Sequence, residues 1–376
     1  MQLSVIILNY NVRYFLEQCV LSVQEALSNI DGEIIVVDNN SSDASCQMMK
    51  TRFPNVKLIE NKTNSGFPKG NNIGVAEAKG DYICILNPDT VVAEDTFEKI
   101  LAFAEKQSDL GIVGCKLIDG TGNFLPESKR GIPTPWVAFT KITGLYHFFP
   151  KNKLFNQYYA QDLNENETGK VAILVGAFMV MKRDLYSDLK GFDENCFMYS
   201  DDIDLSYRAL LQGKSNYYFH ETSVIHYKGE STVKDKMYMK RFQEAMNFFY
   251  KKHFKVSVFF SLFMKIGIVF FSFIKAFQGN SKPNSKPENY FLISDDEKLK
   301  EKLEATLNKP ITFWEKSFII EKSEIIFDQN YFGFSKAIEF METNKNKAFT
   351  YKILPKNTTF IIGSNSNRSR GEVIEI

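Results

Sequence analysis

Four short apolar runs punctuate the first quarter of the chain: Val5–Leu8, Ile34–Val37, Val56–Ile59 and Tyr82–Leu86. Between them, apolar positions recur at helical spacing over Tyr14–Ala26, Ser45–Arg52 and Lys69–Ala78. The runs are apolar throughout rather than alternating, the pattern of strands buried on both faces. Strands alternating with helices predict an α/β domain, a mostly parallel sheet with helices on both faces. Each run ends in a polar cluster: Asn9-Tyr10-Asn11, Asp38 to Asp43, Asn64-Ser65-Gly66-Phe67 and Asn87-Pro88-Asp89. In such a sheet these clusters share the carboxyl edge, where the ligand crevice opens. Any one of them also reads as an ordinary turn or cap, Ser42 or Asp43 before the second helix for example. The first run lacks a following Gly-x-Gly-x-x-Gly, and no Gly-Lys-Ser/Thr loop occurs. Dinucleotide and P-loop sites are therefore disfavoured.

A second polar constellation spans Val171 to His226. Val175–Met179 reads as a strand, with Gly176 where a side chain would block a ligand. Asp201, Asp202 and Asp204 open a predicted helix, with Arg208 one turn on. Three acids at a helix start can simply complement its dipole. In a crevice, adjacent carboxylates also raise one another's pKa, which suits a general base. His226 follows the apolar pair Val224-Ile225, and on spacing alone a structural histidine is the commoner reading. His147, His220 and His253 have no suggestive context. Residues 118–169 are punctuated by Gly and Pro without a clear period, and they carry Arg130 and Trp136. Arg130 reads as a contact for a phosphate or hydroxyl and Trp136 as a ring that can stack on a ligand, with a solvated loop holding one buried Trp as the alternative.

The remainder differs in character. Residues 253–277 predict an apolar amphipathic helix, with Ser257, Ser261, Lys265, Ser272 and Lys275 on one narrow face. It could just span a bilayer, but Lys265 would then sit mid-membrane at ~2.5–3.5 kcal/mol. Lys251, Lys252, Lys255 and Lys275 suit anionic head groups, which favours a helix lying in the membrane interface. A subunit-contact helix in a homo-oligomer is the alternative. Residues 278–287 have linker composition, and 288–376 predict a small α/β lobe with no function legible in it. A formal charge of +1 over 376 residues gives no case for nucleic acid. Five cysteines without Cys-x-x-Cys spacing, and no basic segment ahead of the short Leu3–Leu8 run, point to a reduced cytoplasmic chain.

Taken together, Ser4–Asn11, Val36–Asp43, Asn64–Gly74, the Asn-Pro-Asp at 87–89 and the Asp201-Asp202 pair resemble family 2 glycosyltransferases of the GT-A fold. The likeness is greatest to the bacterial rhamnosyltransferase-like branch, over about residues 1–252. It implies a donor-nucleotide site at Leu8, Asn9, Tyr10, Asp38, Asn40, Asn64, Gly66, Phe67, Asn71, Asn72, Asn87 and Asp89. It implies a divalent metal, Mn²⁺ or Mg²⁺, on Asp89 and His226, with Asn87 standing where many relatives have a first Asp. Asp202 would be the catalytic base. Arg130, Trp136, Gly176, Ala177, Asp201 and Arg208 would lie on the acceptor or sugar side. The implied reaction is inverting transfer of rhamnose or another hexose from a dTDP- or UDP-sugar. The acceptor would be a glycan or lipid-linked hydroxyl in cell-surface polysaccharide synthesis, at the inner face of the membrane. A non-catalytic sugar-nucleotide or glycan binder is the competing class.

Overall fold

A computed structural model describes residues 1–149, 152–227, 236–254, 287–315, 322–365 and 371–376. The amphipathic segment and linker read from sequence therefore fall almost wholly outside the described residues. The chain begins β1 (Leu3–Asn9), α1 (Arg13–Ala26), β2 (Gly32–Asp38), α2 (Ser45–Arg52), β3 (Lys57–Glu60), α3 (Gly66–Ala76) and β4 (Tyr82–Leu86). It continues with β5 (Thr90–Val91), α4 (Thr96–Ala104), β6 (Leu110–Ile118), β7 (Lys129–Arg130), α5 (Pro135–Ile142) and α6 (Leu145–Phe148). Then come β8 (Gly169–Val171), β9 (Ile173–Leu174), β10 (Phe178–Lys182), α7 (Arg183–Asp188), α8 (Asp201–Leu211), β11 (Ser215–His226) and α9 (Lys236–His253).

The main sheet has the order β3-β2-β1-β4-β10-β6-β11-β5, with β8 beside β11. Strands β1 to β4 are parallel, and β10 reverses direction against both β4 and β6. Every residue of β1 and β4 is buried, as strands covered on both faces must be. Leu3, Val5 and Ile7 point to one core with α1, α2 and α4, while Ile6 and Leu8 point to the other with α3, α7 and α8. All five cysteines are free thiols.

Residues 289–376 build a second sheet, in the order β13-β12-β14-β15-β16-β17. Its elements are β12 (Asn289–Ile293), α10 (Glu297–Leu307), β13 (Ile311–Phe313), β14 (Ser323–Asp328), α11 (Phe334–Thr343), β15 (Thr350–Leu354), β16 (Phe360–Gly363) and β17 (Glu372–Glu375). One face packs on α10, and the other joins α11 in an apolar core shared with Val12, Phe15, Val91, Ile225 and Tyr227 of the first domain. Polar contacts fix this docking. The Glu94 carboxylate accepts from the Phe334 and Ser335 amides at 2.7 Å each, capping α11 from the other domain. Lys116 pairs with Glu342 at 2.8 Å, and Arg52 donates to the Asn357 carbonyl at 2.7 Å. No helix among the described residues is long and apolar enough to cross a membrane.

Candidate active site

At the carboxyl edge of β1 and β2, Asp38 is buried and already has two partners. Asn9 Nδ2 donates to its Oδ2 at 2.8 Å and the Ser41 amide to its Oδ1 at 2.8 Å. Two carboxylate oxygens offer about four acceptor sites, so capacity remains for a ligand N–H or hydroxyl. Asn11 and Asn40 adopt left-handed backbone (φ 55° and 65°), turning the chain out of the sheet on either side. Tyr10 is exposed between them. The hub of the edge is Asn39, which no sequence argument singled out. It donates to Asn64 Oδ1 (3.3 Å) and to the Gly66 carbonyl (3.1 Å), and accepts from Asn61 (2.8 Å) and Ser65 (3.0 Å).

At two glycines beside this edge, the space a side chain would take is already filled by protein. A Cβ on Gly66, which has φ +82°, would lie 2.8 Å from the Phe197 ring and carbonyl. One on Gly70 would lie 2.4 Å from Leu8. The side chain of Leu8 is thereby core, packed under α3. Asn72 is likewise committed. Its amide donates to the Phe192 carbonyl and Glu194, and its oxygen accepts from Tyr186 (2.6 Å) and the Phe192 amide (3.0 Å). It braces α3 against the loop before α8 rather than facing a crevice. Asn71 is fully buried, donating to the Phe67 carbonyl. Phe67 reaches the second half of the site, since a Cβ on Gly176 would be 3.5 Å from its ring.

Strand β5 pairs with the end of β11, setting His226 opposite Thr90. His226 Nε2 is 3.5 Å from Asp89 Oδ1 and 3.4 Å from Asn87 Nδ2, and both His226 and Asp89 are buried. Its other ring nitrogen is buried without a partner among the described residues. One imidazole nitrogen and one carboxylate oxygen thus converge, a donor set that fits Mn²⁺ better than Mg²⁺. Among the described residues no three His, Cys, Asp or Glu side chains gather as a cage. The protein would supply two ligands and leave the rest to substrate and water.

Residues 175–177 do not form the continuous strand that their apolar character predicts. The chain breaks between β9 and β10, and the reason is polar: the Gly176 amide turns to Asp202 Oδ2 at 3.1 Å. The next residue, Ala177, accepts from the Asn87 amide at 3.0 Å. Asn87 and Asp202 are therefore linked through one short stretch of backbone. Asp202 Oδ2 also takes Arg130 Nη2 at 2.5 Å. Tyr199, just ahead of the acidic pair, is held at φ 80°, a strained conformation of the kind that clusters at functional sites. Burial and the Asp202 charge push the Asp201 carboxyl up to about 7.

Arg208 is occupied elsewhere. It pairs with Asp204 at 2.7 Å and donates to the carbonyls of Leu189 and Gly191, bracing α8. Asp204 also receives Lys252 (2.8 Å) and His253 (2.6 Å), so His253 has a structural context that its sequence did not reveal. Lys141 lies 3.5 Å over the Tyr158 ring. Burial works against ionisation of Tyr158, but Lys141 and Arg130 outweigh it and hold the phenol below its usual range. Neither residue stood out in the sequence. Trp136, farther along the same segment, donates its indole N–H to the Leu154 carbonyl at 2.7 Å.

Residues 4–190 match the family model described as Glycosyl transferase family 2. The chain is 28% identical over 249 residues to an N-acetylglucosaminyl-diphospho-decaprenol L-rhamnosyltransferase of Mycobacterium tuberculosis, covering 62% of this chain and 78% of that protein. It is 31% identical over 173 residues to a poly(ribitol-phosphate) beta-glucosyltransferase of Bacillus spizizenii, covering 44% of this chain and 26% of that protein. Among solved structures, a mannosyltransferase from Pyrobaculum calidifontis superposes with a TM-score of 0.45 at 18% identity, over 65% of this chain and 61% of that one.

Proposed function

The chain belongs to glycosyltransferase family 2, and from that premise we propose that it transfers a hexose, rhamnose foremost, from a nucleoside diphosphate donor with inversion. The acceptor is a hydroxyl on a glycan or lipid-linked intermediate of cell-envelope polysaccharide, reached from the inner membrane face. The mycobacterial relative's name supplies both the sugar and the lipid-diphosphate class of acceptor. The observation that carries the reading is the hydrogen-bonded continuity from Asn87 through Ala177 and Gly176 to Asp202. It joins a nitrogen–oxygen metal pair to a buried carboxylate across two residues of backbone.

In this scheme Asp38 and the Asn39 network orient the nucleoside. Asp89 and His226 would hold a divalent cation, which supplies Lewis-acid stabilisation of the departing diphosphate. Asp202 takes the acceptor proton as the acceptor oxygen attacks the anomeric carbon and the bond to diphosphate breaks. Arg130 and the Gly176 amide fix the carboxylate oxygen Oδ2 and so aim the base. No covalent enzyme intermediate is required. The test is Asp202→Asn assayed against dTDP-, UDP- and GDP-sugars by nucleoside diphosphate release, with binding of the nucleoside diphosphate measured separately. Turnover should fall ~10²–10⁴-fold while nucleotide affinity stays within about threefold. Turnover close to that of the unaltered enzyme would overturn the assignment.

A further inference from the structure

The second domain has a crevice of its own. Strand β13 lies on one side of β12 and β14 on the other, all parallel. Helix α10 follows β12 and packs on one face of this sheet, while α11 follows β14 and packs on the opposite face. Loops that part in this way open a cleft at the carboxyl edge, where doubly wound sheets take ligands. A cavity of about 660 Å³ lies there, lined by Asp295 and Asp296 after β12, Asp328 and Tyr331 at the end of β14, and Asn357 after β15. That volume suits a small-molecule ligand. The cleft is braced from within. The Ser294 hydroxyl donates to Asp328 Oδ2 at 2.7 Å, tying the two loops together across the divide, and the buried Asp328 also accepts from the Asn330 amide at 2.9 Å.

This cleft is separate from the candidate active site. The Asn357 carbonyl accepts from Arg52 at 2.7 Å, and Lys356 pairs with Glu25 at 3.3 Å, so the loop after β15 meets the last turns of α2 and α1. Those helix ends lead into β3 and β2 at the amino edge of the first sheet. Asp38 and Asp89 belong to its carboxyl edge, the seven-residue length of β1 away, or ~23 Å at ~3.3 Å per residue.

The lining discriminates among ligands. The first amides of α10, at Lys298 and Leu299, are taken by the Asp296 carboxylate, and those of α11 by Glu94. Neither helix start is left for a phosphate. Among the described residues no three acids gather as a metal cage, and Lys298 and Lys302, one helical turn apart on the cavity wall, oppose a cation. Carboxylates and ammonium groups that share a cleft are served together by hydroxyls, which donate to the first and accept from the second. Tyr331, 55% exposed, adds an aromatic ring for the C–H face of a pyranose, and Leu299 and Leu354 add apolar surface. We propose that this cleft binds a neutral saccharide, with Asp295, Asp328, Lys298 and Lys302 on its hydroxyls and Tyr331 on its ring. The assignment goes beyond sugar transfer: a glycan held here is anchored far from the hydroxyl that reacts.

The probes are methyl α-L-rhamnoside, N,N′-diacetylchitobiose and maltotriose, which cover a deoxyhexose, an N-acetylhexosamine and a plain hexose. Each is added to the full chain without donor and followed by saturation-transfer difference NMR. At least one should bind, and Tyr331→Ala with Asp295→Ala should weaken its affinity roughly tenfold or more. Thermal unfolding of this double variant should match the parent, because both side chains are exposed. Asp202→Asn should leave the same binding unchanged, and UDP and Mn²⁺ affinities should not respond to the double variant. Binding of none of the three sugars, or undiminished binding by the double variant, overturns the proposal. So does loss of the sugar in Asp202→Asn, since the sugar would then sit at the first site. Loss of UDP or Mn²⁺ by the double variant overturns it as well, because the cleft would then take a nucleotide or a cation. No donor is present in the sugar titrations, so their failure and a failure of sugar transfer are read separately.

Discussion

Replacing Asp201 by Asn should stabilise the fold, and only above acidic pH. Asp201 is 6% exposed, one of its oxygens has no partner among the described residues, and Asp202 adjoins it. Burial first, and then the Asp202 charge, raise its carboxyl from an ordinary 3.8 to about 7. The folded chain therefore keeps this proton to higher pH than the unfolded chain does. The stability contributed by the neutral acid is complete below about pH 4 and is lost as pH rises through 7. That interval is worth about 4 kcal/mol at ~1.4 kcal/mol per pH unit. Because the two acids titrate as a pair, roughly 2–4 kcal/mol is the expected gain for Asp201→Asn at pH 8. Urea unfolding of both proteins at pH 4.5, 6, 7 and 8 measures it. The gap between the curves should be smallest at pH 4.5, where about 1 kcal/mol of the effect is already present, and should widen up to pH 7–8. A difference independent of pH, or a destabilised variant at pH 8, would refute the reasoning.

Arg130→Lys keeps a cation beside Asp202 but loses the planar donor that reaches both Asp202 and the Leu174 carbonyl. Acceptor-dependent turnover should fall about tenfold or more, with donor KM within roughly threefold, as for a group that positions the base. His226→Ala removes one of the two protein donors. Mn²⁺ affinity in the presence of nucleoside diphosphate, followed by electron paramagnetic resonance, should weaken about 10–100-fold, and unchanged affinity would remove His226 from the metal scheme.

Strands β1 and β4 were legible because burial of every residue leaves a continuous apolar run; β2 is buried over its last five residues, while β3 is an edge strand with none of its residues buried. Strand β6 escaped because Gly111 and Gly114 interrupt its run, the latter packed so closely that a Cβ would lie 2.6 Å from Leu174. Strand β11 showed only its last apolar pair, since much of its length is Tyr, His, Glu and Thr. Helix α5 has a local signal in its sequence: Thr134 caps it, accepting from the Val137 amide, and Pro135 occupies its first turn. At the site, residue type identified which groups carry chemistry but not which of them are already engaged. Asn72 and Arg208 carry the same polar atoms whether they face a ligand or a carbonyl. Gly66 and Gly70 look alike whether the missing side chain makes room for sugar or for Phe197 and Leu8. Those distinctions depend on contacts between residues more than 120 positions apart in sequence, as for Asn72 with Glu194 and Gly66 with Phe197.

The second domain is therefore more than an appendage to the first. Strand β5 is two residues long and lies at the edge of the main sheet, where a short strand has little to hold it. Yet it must hold Asp89 against His226. Val91, Ile225 and Tyr227, which flank those two residues, are buried in the core that also contains Phe291, Phe327, Phe334 and Tyr351 of the second domain. The Tyr227 amide donates to the Asp89 carbonyl at 3.0 Å, and its ring packs edge-on against Phe15. Apolar cover over this edge excludes water from the backbone bonds that fix the spacing of the two donors. The base half has no such dependence: Asp202 is held by Arg130 and Gly176, both of the first domain. The two halves of the site thus rest on different supports. Loosening the contact between domains would disturb the proposed metal pair, Asp89 and His226, while leaving the proposed base, Asp202, in position.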